Sequence, residues 1–402
     1  MKIIFILYNI FESKSGVSNK YIKLIDYLIS QNIEYLLFTT FNDNQNINND
    51  YKIIYKKGIH LPFYHDIKIP NISINDLKTH VKNNDIIIFN GEFFWLYTIF
   101  KELKNIYNDI KLIPNWHTNY DYYSKIYTNN LISIDNIKNN LYNNLKNNFF
   151  SGIIVTGEIT KNDFNKYSSN VFNANEISLS NFDIFKINNY NLNKKINFIF
   201  TGRISIEKNL NLIIDIMNEL NNEESKFNNF NLHIIGDGPY MNQLKKYIKD
   251  ELEEKVIFYG NMDYTKIKDI YEKLDNRIFI QSSKSETFGK TTMEASYSGI
   301  PIFIVKCEIH NLLYNENNSF MFDNIQEFKN QLILFFRLNT KQKEKIIKNG
   351  FNNANKYDQN IIFENLKNFL LKINNNSNNF YKQMIISNVL NSIKCGIDYF
   401  ES

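Results

Sequence analysis

Ser285-Glu-Thr-Phe-Gly-Lys-Thr-Thr-Met-Glu-Ala295, followed by Gly299-Ile-Pro301, is the stretch on which the reading of this 402-residue chain turns. Its pattern predicts a helix over Lys290–Ser298, opened by Gly289 and stopped before Gly299. The first N–H groups of a helix have no internal acceptor, so Gly289–Thr291 forms a site for an anion. Glu294 falls just over one turn into the helix, where a carboxylate can accept from both hydroxyls of a ribose. Glu286 precedes the helix and can reach a group lying beyond bound phosphates. Two glutamates alone are more often solvated surface than chemistry. Two that bracket a glycine-started helix are a narrower signal.

Upstream of this stretch, short β-branched and aromatic runs alternate with segments of helical spacing. Ile196–Thr201, Asn231–Ile235, Lys255–Tyr259, Ile278–Gln281 and Ile302–Val305 read as buried strands. Asn209–Leu220, Met241–Lys249, Tyr264–Leu274 and Ile325–Leu338 read as the helices between or after them. The first half repeats the alternation, with strands at Lys2–Tyr8, Glu34–Thr39, Lys52–Tyr55, Asp85–Phe89, Lys111–Pro114 and Gly152–Val155, and helices at Asn19–Gln31 and Phe94–Lys104. Such alternation implies parallel sheets covered on both faces. The polar stretch Asn188–Lys195 reads as a linker, and 402 residues suit two such units. Folds of this class bind ligands at the carboxyl ends of their strands.

Composition sharpens the reading. Lys+Arg 46 against Asp+Glu 42 gives a net charge of +4, so no whole-chain case for nucleic acid follows. Two cysteines, Cys307 and Cys395, cannot build a disulfide framework, and a reducing compartment fits. The run Ile3–Tyr8 is too short for a signal peptide and reads as a first strand. Ile86–Phe100 is interrupted by Asn90 and Glu92 and cannot span a bilayer. Asn, Lys, Ile, Tyr and Phe are abundant, as AT-rich coding would make them. Against that background 13 glycines, 5 prolines and the arginines at 203, 277 and 337 mark positions that resisted drift.

Six of those glycines fall between Gly202 and Gly299, at 202, 236, 238, 260, 289 and 299. Phe200-Thr-Gly-Arg203 sets an arginine at a strand end, and Lys208 follows near the start of the next helix. Together a guanidinium fork and an ammonium could clamp a diphosphate. The bland alternative is a surface ion pair of Arg203 with Glu207. Gly236-Asp-Gly-Pro239 is a G-x-G turn lacking the third glycine of a dinucleotide fingerprint, so alone it is only a turn. His233 reads as a packing residue within its strand.

Taken in order, these elements resemble the donor domain of the GT-B glycosyltransferases, specifically the retaining family called GT4. The resemblance runs from Phe198 to about Phe322. It rests on Gly202/Arg203/Lys208, on Gly236–Pro239, and on the E-x7-E pair Glu286/Glu294. It implies an α/β chain of GT-B architecture, two Rossmann-like parallel-sheet domains facing a central cleft. The implied division is 1–186 for the acceptor domain, 187–355 for the nucleotide-sugar domain, and 356–402 for C-terminal helices partly crossing back. By the same resemblance Arg203 and Lys208 bind the diphosphate, Glu294 the ribose and Glu286 the donor sugar. Phe288, Gly289, Lys290 and Thr291 complete the donor site. No metal and no cofactor is implied, the nucleoside-diphosphate sugar being a substrate, and no D-x-D motif occurs in the chain.

The first half matches less closely. Ser15-Gly16 stands where relatives carry Gly-Gly, leaving Gly16 as the donor-binding glycine. Trp116-His-Thr-Asn119, followed by Tyr122-Tyr123, resembles the strand-H-T segment of relatives that glycosylate lipids or extend glycans. Leu61-Pro-Phe63 is similar to a stretch in the same relatives. That makes His117 the second catalytic candidate beside Glu286. Read without the resemblance, a packing histidine near a strand end is an equal alternative. Ser180-Asn-Phe-Asp183 replaces N-G-V-D, with asparagine in the glycine's place, and Ser282 replaces a proline.

The resemblance implies a metal-independent retaining hexosyl transfer from a nucleotide sugar to a glycan or glycolipid hydroxyl, in the cytoplasm, with peripheral membrane contact left open. The rival of another class is a non-catalytic nucleotide-sugar-binding subunit of a glycosyltransferase complex. A phosphorylase of the same fold would need a pyridoxal-phosphate lysine motif, which is not found.

Overall fold

The computed structural model describes residues 1–11, 16–40, 50–61, 64–91, 93, 95–117, 134–182, 185–221, 225–283 and 286–375. Ser15, Thr118, Asn119, Tyr122, Tyr123, Asp183, Ser285 and Cys395 lie outside them, as do Pro62 and Phe63. The chain forms two compact units. One comprises 1–174 together with the chain from Phe363 onward; the other is Asn175–Ile362.

In the first unit the strands are β1 (Ile3–Ile6), β2 (Tyr35–Thr40), β3 (Ile53–Lys56), β4 (Gly58–Leu61), β5 (Tyr64–Pro70), β6 (Ile86–Asn90), β7 (Lys111–Trp116), β8 (Ile153–Val155) and β9 (Val171–Asn173). Seven of them make a parallel sheet in the order β3-β2-β1-β6-β7-β8-β9, and β4 and β5 form a separate antiparallel hairpin. β1 and β6 are buried at every position, as expected of central strands with helices on both faces. The helix over 359–375 brings Phe363, Leu366, Leu370 and Ile373 into this unit's core.

The second unit carries β10 (Ile196–Thr201), β11 (Phe230–Ile235), β12 (Val256–Gly260), β13 (Arg277–Gln281), β14 (Ile302–Val305) and β15 (Phe320–Phe322). They form a six-stranded parallel sheet ordered β12-β11-β10-β13-β14-β15. Counted within the unit this is 3-2-1-4-5-6, the doubly wound order, whose direction of winding reverses between β10 and β13. The loops after those two strands are therefore where a ligand crevice belongs. The chain has the expected two parallel-sheet, Rossmann-like units.

Asn188–Lys195, read from its polarity as a linker, lies inside the second unit. Tyr190 is in its core. The Asn276 side chain donates to the carbonyls of Asn191, Lys194 and Lys195, holding the stretch at the start of β13. The chain passes from the first unit to the second at Ala174–Asn175 and back at Ile362–Phe363.

Asparagine also explains how so glycine-poor a chain turns. Among the described residues the positive-φ positions that are not glycine are Asn32, Asn84, Asn148, Asn209 and Asn276. Asparagine bears the left-handed region better than other side chains, because its short amide can bond locally.

Arg277 shows what a surviving arginine does here. It is fully buried, and its guanidinium donates to the carbonyls of Lys186 (2.8 Å), Ser298 (3.1 Å) and Tyr271. Ser298 is the C-cap of the helix Lys290–Tyr297, so this cation satisfies the carbonyl end of the helix whose other end opens the predicted site.

Candidate functional site

The crevice of the second unit is built from backbone first. Gly202 N–H donates to Ile235 O (3.0 Å), Ile204 N–H to Asp237 O (3.0 Å), Tyr240 N–H to Ile204 O (3.0 Å), and Gly236 N–H to Gly260 O (2.8 Å). These bonds zip together the loops that follow β10, β11 and β12. The glycines of the G-D-G-P turn permit this contact. A Cβ on Gly236 would lie 1.9 Å from Gly202 O, and one on Gly238 would lie 2.3 Å from Ile204 O. Arg203 stands exposed beside the zipper and lines a recess of about 490 Å³ with Asp237, Gly238 and Asn261. It has no hydrogen-bond or ion-pair partner among the described residues.

A second set of bonds joins the loop after β10 to the loop after β13, across the reversal of the sheet. Ser282 Oγ donates to Lys208 O (2.7 Å) and Ser283 Oγ to Glu207 O (3.0 Å). Gln281 Oε1 accepts from the N–H groups of Ser282 (3.0 Å) and Ser283 (3.2 Å), turning the chain at the strand end. The serine that replaces a family proline is thus a tie between loops. Lys208, closing a 3-10 turn Ile206–Lys208, reaches Glu286 Oε1 at 2.5 Å. Both side chains of this pair are mostly buried.

Gly289 caps the helix Lys290–Tyr297 with φ +79, a left-handed conformation that admits glycine readily. No described side chain caps this helix start. Lys290 pairs with Glu176 at 2.7 Å, and that carboxylate is 3% exposed. Glu294 is buried. It stands with Glu176 near Tyr264, whose phenol burial and these two carboxylates push up to about 12. Thr291 is half-buried, and Thr292 Oγ1 is buried without a partner among the described residues. Phe288 is buried against Tyr357, ring centroids 4.8 Å apart.

Eight of the ten candidate residues, Arg203, Lys208, Glu286, Phe288, Gly289, Lys290, Thr291 and Glu294, belong to this unit. They sit on loops and a helix start at the carboxyl ends of β10 and β13. Sequence reading missed Glu176, Gln281 and Asn261. It also missed His310, which is fully buried and donates from Nδ1 to Val305 O (2.6 Å). Burial pushes the His310 imidazole down, while Glu286 raises it and Lys208 lowers it further. His233 is, as read, a strand residue held between Tyr259 OH (2.9 Å) and Asn197 Oδ1 (3.0 Å).

Gly16 and His117 belong to the first unit. Gly16 opens the helix Gly16–Ser30. His117 follows the last residue of β7 and is buried. Its Nε2 lies 3.3 Å from the hydroxyl of Tyr21, on that same helix. Asn115 Nδ2 donates to the same hydroxyl. Burial, and then Lys20, hold the imidazole well below its ordinary pKa, so it is neutral at pH 7.

Among the described residues no helix is long and apolar enough to cross a membrane, and no group of three or more His, Cys, Asp or Glu is placed to hold a metal.

Residues 182–353 match the family described as glycosyl transferases group 1. Over 101 residues the chain is 37% identical to alpha-monoglucosyldiacylglycerol synthase of Streptococcus pneumoniae, a match covering 25% of this chain and 22% of that protein. The chain spans about a fifth of the length of the curated relatives it matches, with 22%, 18% and 24% for three of them. Among solved structures, the lipopolysaccharide outer core galactosyltransferase WaaB superposes with a TM-score of 0.64 at 16% identity, covering 92% of this chain and 99% of that one. The Anabaena HepE structure with UDP and glucose gives 0.62 at 17% identity, covering 92% and 100%. At these identities the likeness is one of fold, and it is the GT-B fold.

Proposed function

We propose, from the match of residues 182–353 to the glycosyl transferases group 1 family and from the GT-B fold, that the chain is a member of that family and a retaining glycosyltransferase. It moves a sugar from a nucleoside-diphosphate donor to a hydroxyl of a glycan or glycolipid. The observation that carries this reading is the Lys208–Glu286 pair at the reversal of the second sheet, one turn before a glycine-started helix. There a cation for phosphate and a carboxylate for sugar hydroxyls already touch.

In this reading Arg203, Lys208 and the N–H groups at Gly289–Thr291 hold the diphosphate and stabilise its charge as it departs. Glu294 takes the ribose hydroxyls and Glu286 those of the sugar. The bond from the anomeric carbon to phosphate oxygen breaks on the face where the acceptor oxygen bonds. The acceptor proton passes to the leaving phosphate. We read the protein as cytoplasmic, where nucleotide sugars are made and free thiols persist, with peripheral membrane contact part of the same proposal if the acceptor is a lipid.

The test is a thermal-shift screen of the wild type and Glu294→Gln against UDP, GDP, ADP and their common sugar conjugates. A ligand that binds only the folded state raises Tm by mass action. One nucleotide series stabilising wild type and not the variant supports the reading and names the base. No shift with any of them, in folded protein, would overturn it.

A further inference from the structure

We infer that Gln281 is a positioning residue for Glu286: with Lys208 it holds the carboxylate oxygen Oε1, and so leaves the other oxygen, Oε2, for the ligand. That the ligand group is a hydroxyl of the donor sugar rests on the function proposed above; the holding of Glu286 does not.

Gln281 is the last residue of β13 and is 1% exposed. Main-chain N–H groups can only donate, so the atom that meets those of Ser282 (3.0 Å) and Ser283 (3.2 Å) is the amide oxygen, Oε1. The orientation of the amide is therefore settled, and its nitrogen faces the other way, toward Glu286 Oε1 at 3.5 Å. A proline at 282 would offer no N–H, so the serine found there helps to lock the amide. The hydroxyl of the same serine donates to the Lys208 carbonyl at 2.7 Å. From that loop Lys208 Nζ reaches Glu286 Oε1 at 2.5 Å. Two donors from two loops thus converge on one oxygen. Glu286 Oε2 has no partner among the described residues and is open to solvent.

The two donors act differently. The terminal torsion of a glutamate is broad, and an ammonium is a point charge on a flexible stem that meets either oxygen equally well. Lys208 alone therefore keeps the carboxylate near without fixing its plane. The planar amide, buried and bonded on its oxygen side, fixes it. Glu286 so held offers one open oxygen to a ligand hydroxyl, and it has little freedom left to lose when that hydroxyl binds.

The test is a double-mutant cycle in the full chain. Gln281→Met removes the amide at nearly constant volume, and Glu286→Ala removes its target. In the ligand-free protein, urea unfolding should show Gln281→Met lowering the folding constant roughly threefold more in wild type than in Glu286→Ala, the ratio a long side-chain hydrogen bond sustains. Equal losses in both backgrounds would overturn the inference, since a residue that only caps its own turn costs the same whether or not Glu286 is present. In turnover of the nucleotide sugar, Gln281→Met should lower kcat/KM about tenfold in wild type and by less than about twofold in Glu286→Ala. Gln281→Glu keeps an oxygen for both main-chain N–H groups and loses the donation, so its turnover should fall as far as that of Gln281→Met. Wild-type turnover in Gln281→Glu would also overturn the inference. A wild type that turns over no nucleotide sugar would sink the proposed function and leave the unfolding cycle to decide for or against Gln281.

Discussion

The α-carbon of Gly236 packs so closely on the carbonyl of Gly202 that a Cβ there would sit 1.9 Å from that oxygen. The two loops beside Arg203 are thus held by main-chain contact and not by side chains. Gly236→Ala should cost about 3 kcal/mol or more, because the backbone must move and break the bonds to Ile235 and Gly260. Gly260 is the control. Its φ is +70, yet nothing lies within 4 Å of an added Cβ. Gly260→Ala should cost only about 1 kcal/mol of left-handed strain. Urea unfolding of both variants checks this, and equal losses would refute the role given to close packing.

The glycines were visible in the sequence because the chain has so few, but their partners were not. A strand is legible from a run such as Ile86-Ile-Ile-Phe89 because burial on both faces demands apolar residues in succession. Val171–Asn173 and the hairpin of β4 and β5 escaped, being short and mixed in polarity. The helix start at Gly289 was legible for the same reason that its caps are local. Glu176 and Lys290 are 114 residues apart, and Tyr21 and His117 are 96 apart. No local pattern announces such pairs; only the sheet order brings them together. Scarcity was a partial guide to arginine: Arg277 is buried in the second unit, while Arg337 is an exposed helix end.

Lys208 and Glu286 should separate in binding and turnover. On the proposed assignment, Lys208→Met removes a charged hydrogen-bond donor from the diphosphate and should weaken nucleoside-diphosphate binding by roughly tenfold to hundredfold. Glu286→Gln leaves Lys208 without its 2.5 Å partner, so the bare diphosphate should bind at least as tightly as to wild type. Its turnover should nonetheless fall about a hundredfold or more, because the contact to the sugar is lost. Calorimetry with the nucleoside diphosphate, beside initial rates, distinguishes the two. A Glu286→Gln protein that binds diphosphate markedly less well would contradict the assignment.

Arg277 should be irreplaceable even by lysine. Its guanidinium serves three carbonyls on Tyr271, Lys186 and Ser298, and an ammonium on a shorter stem cannot span them. Arg277→Lys should destabilise the second unit by about 3 kcal/mol, from orphaned buried carbonyls. Arg337→Lys, at an exposed helix end, should stay within about 0.5 kcal/mol. The comparison is made by the urea midpoint of each variant.

The buried His233 should make the second unit acid-sensitive well above the carboxylate range. Burial, then Lys195, lowers its pKa to about 4, against about 6.5 in an unfolded chain. Between those values the unfolded state binds a proton that the native state refuses, so stability falls as the pH drops below about 6.5. From pH 7 to pH 5 the loss attributable to this one group is about 2 kcal/mol, levelling near pH 4 where the native imidazole also titrates. His233→Gln removes the titration whatever it does to overall stability, so the difference in unfolding free energy between pH 7 and pH 5 should shrink by about that amount. Urea titrations at the two pH values give that difference directly. An unchanged difference in the variant would mean that the native His233 imidazole takes up its proton as readily as in the unfolded chain, against the lowering by burial.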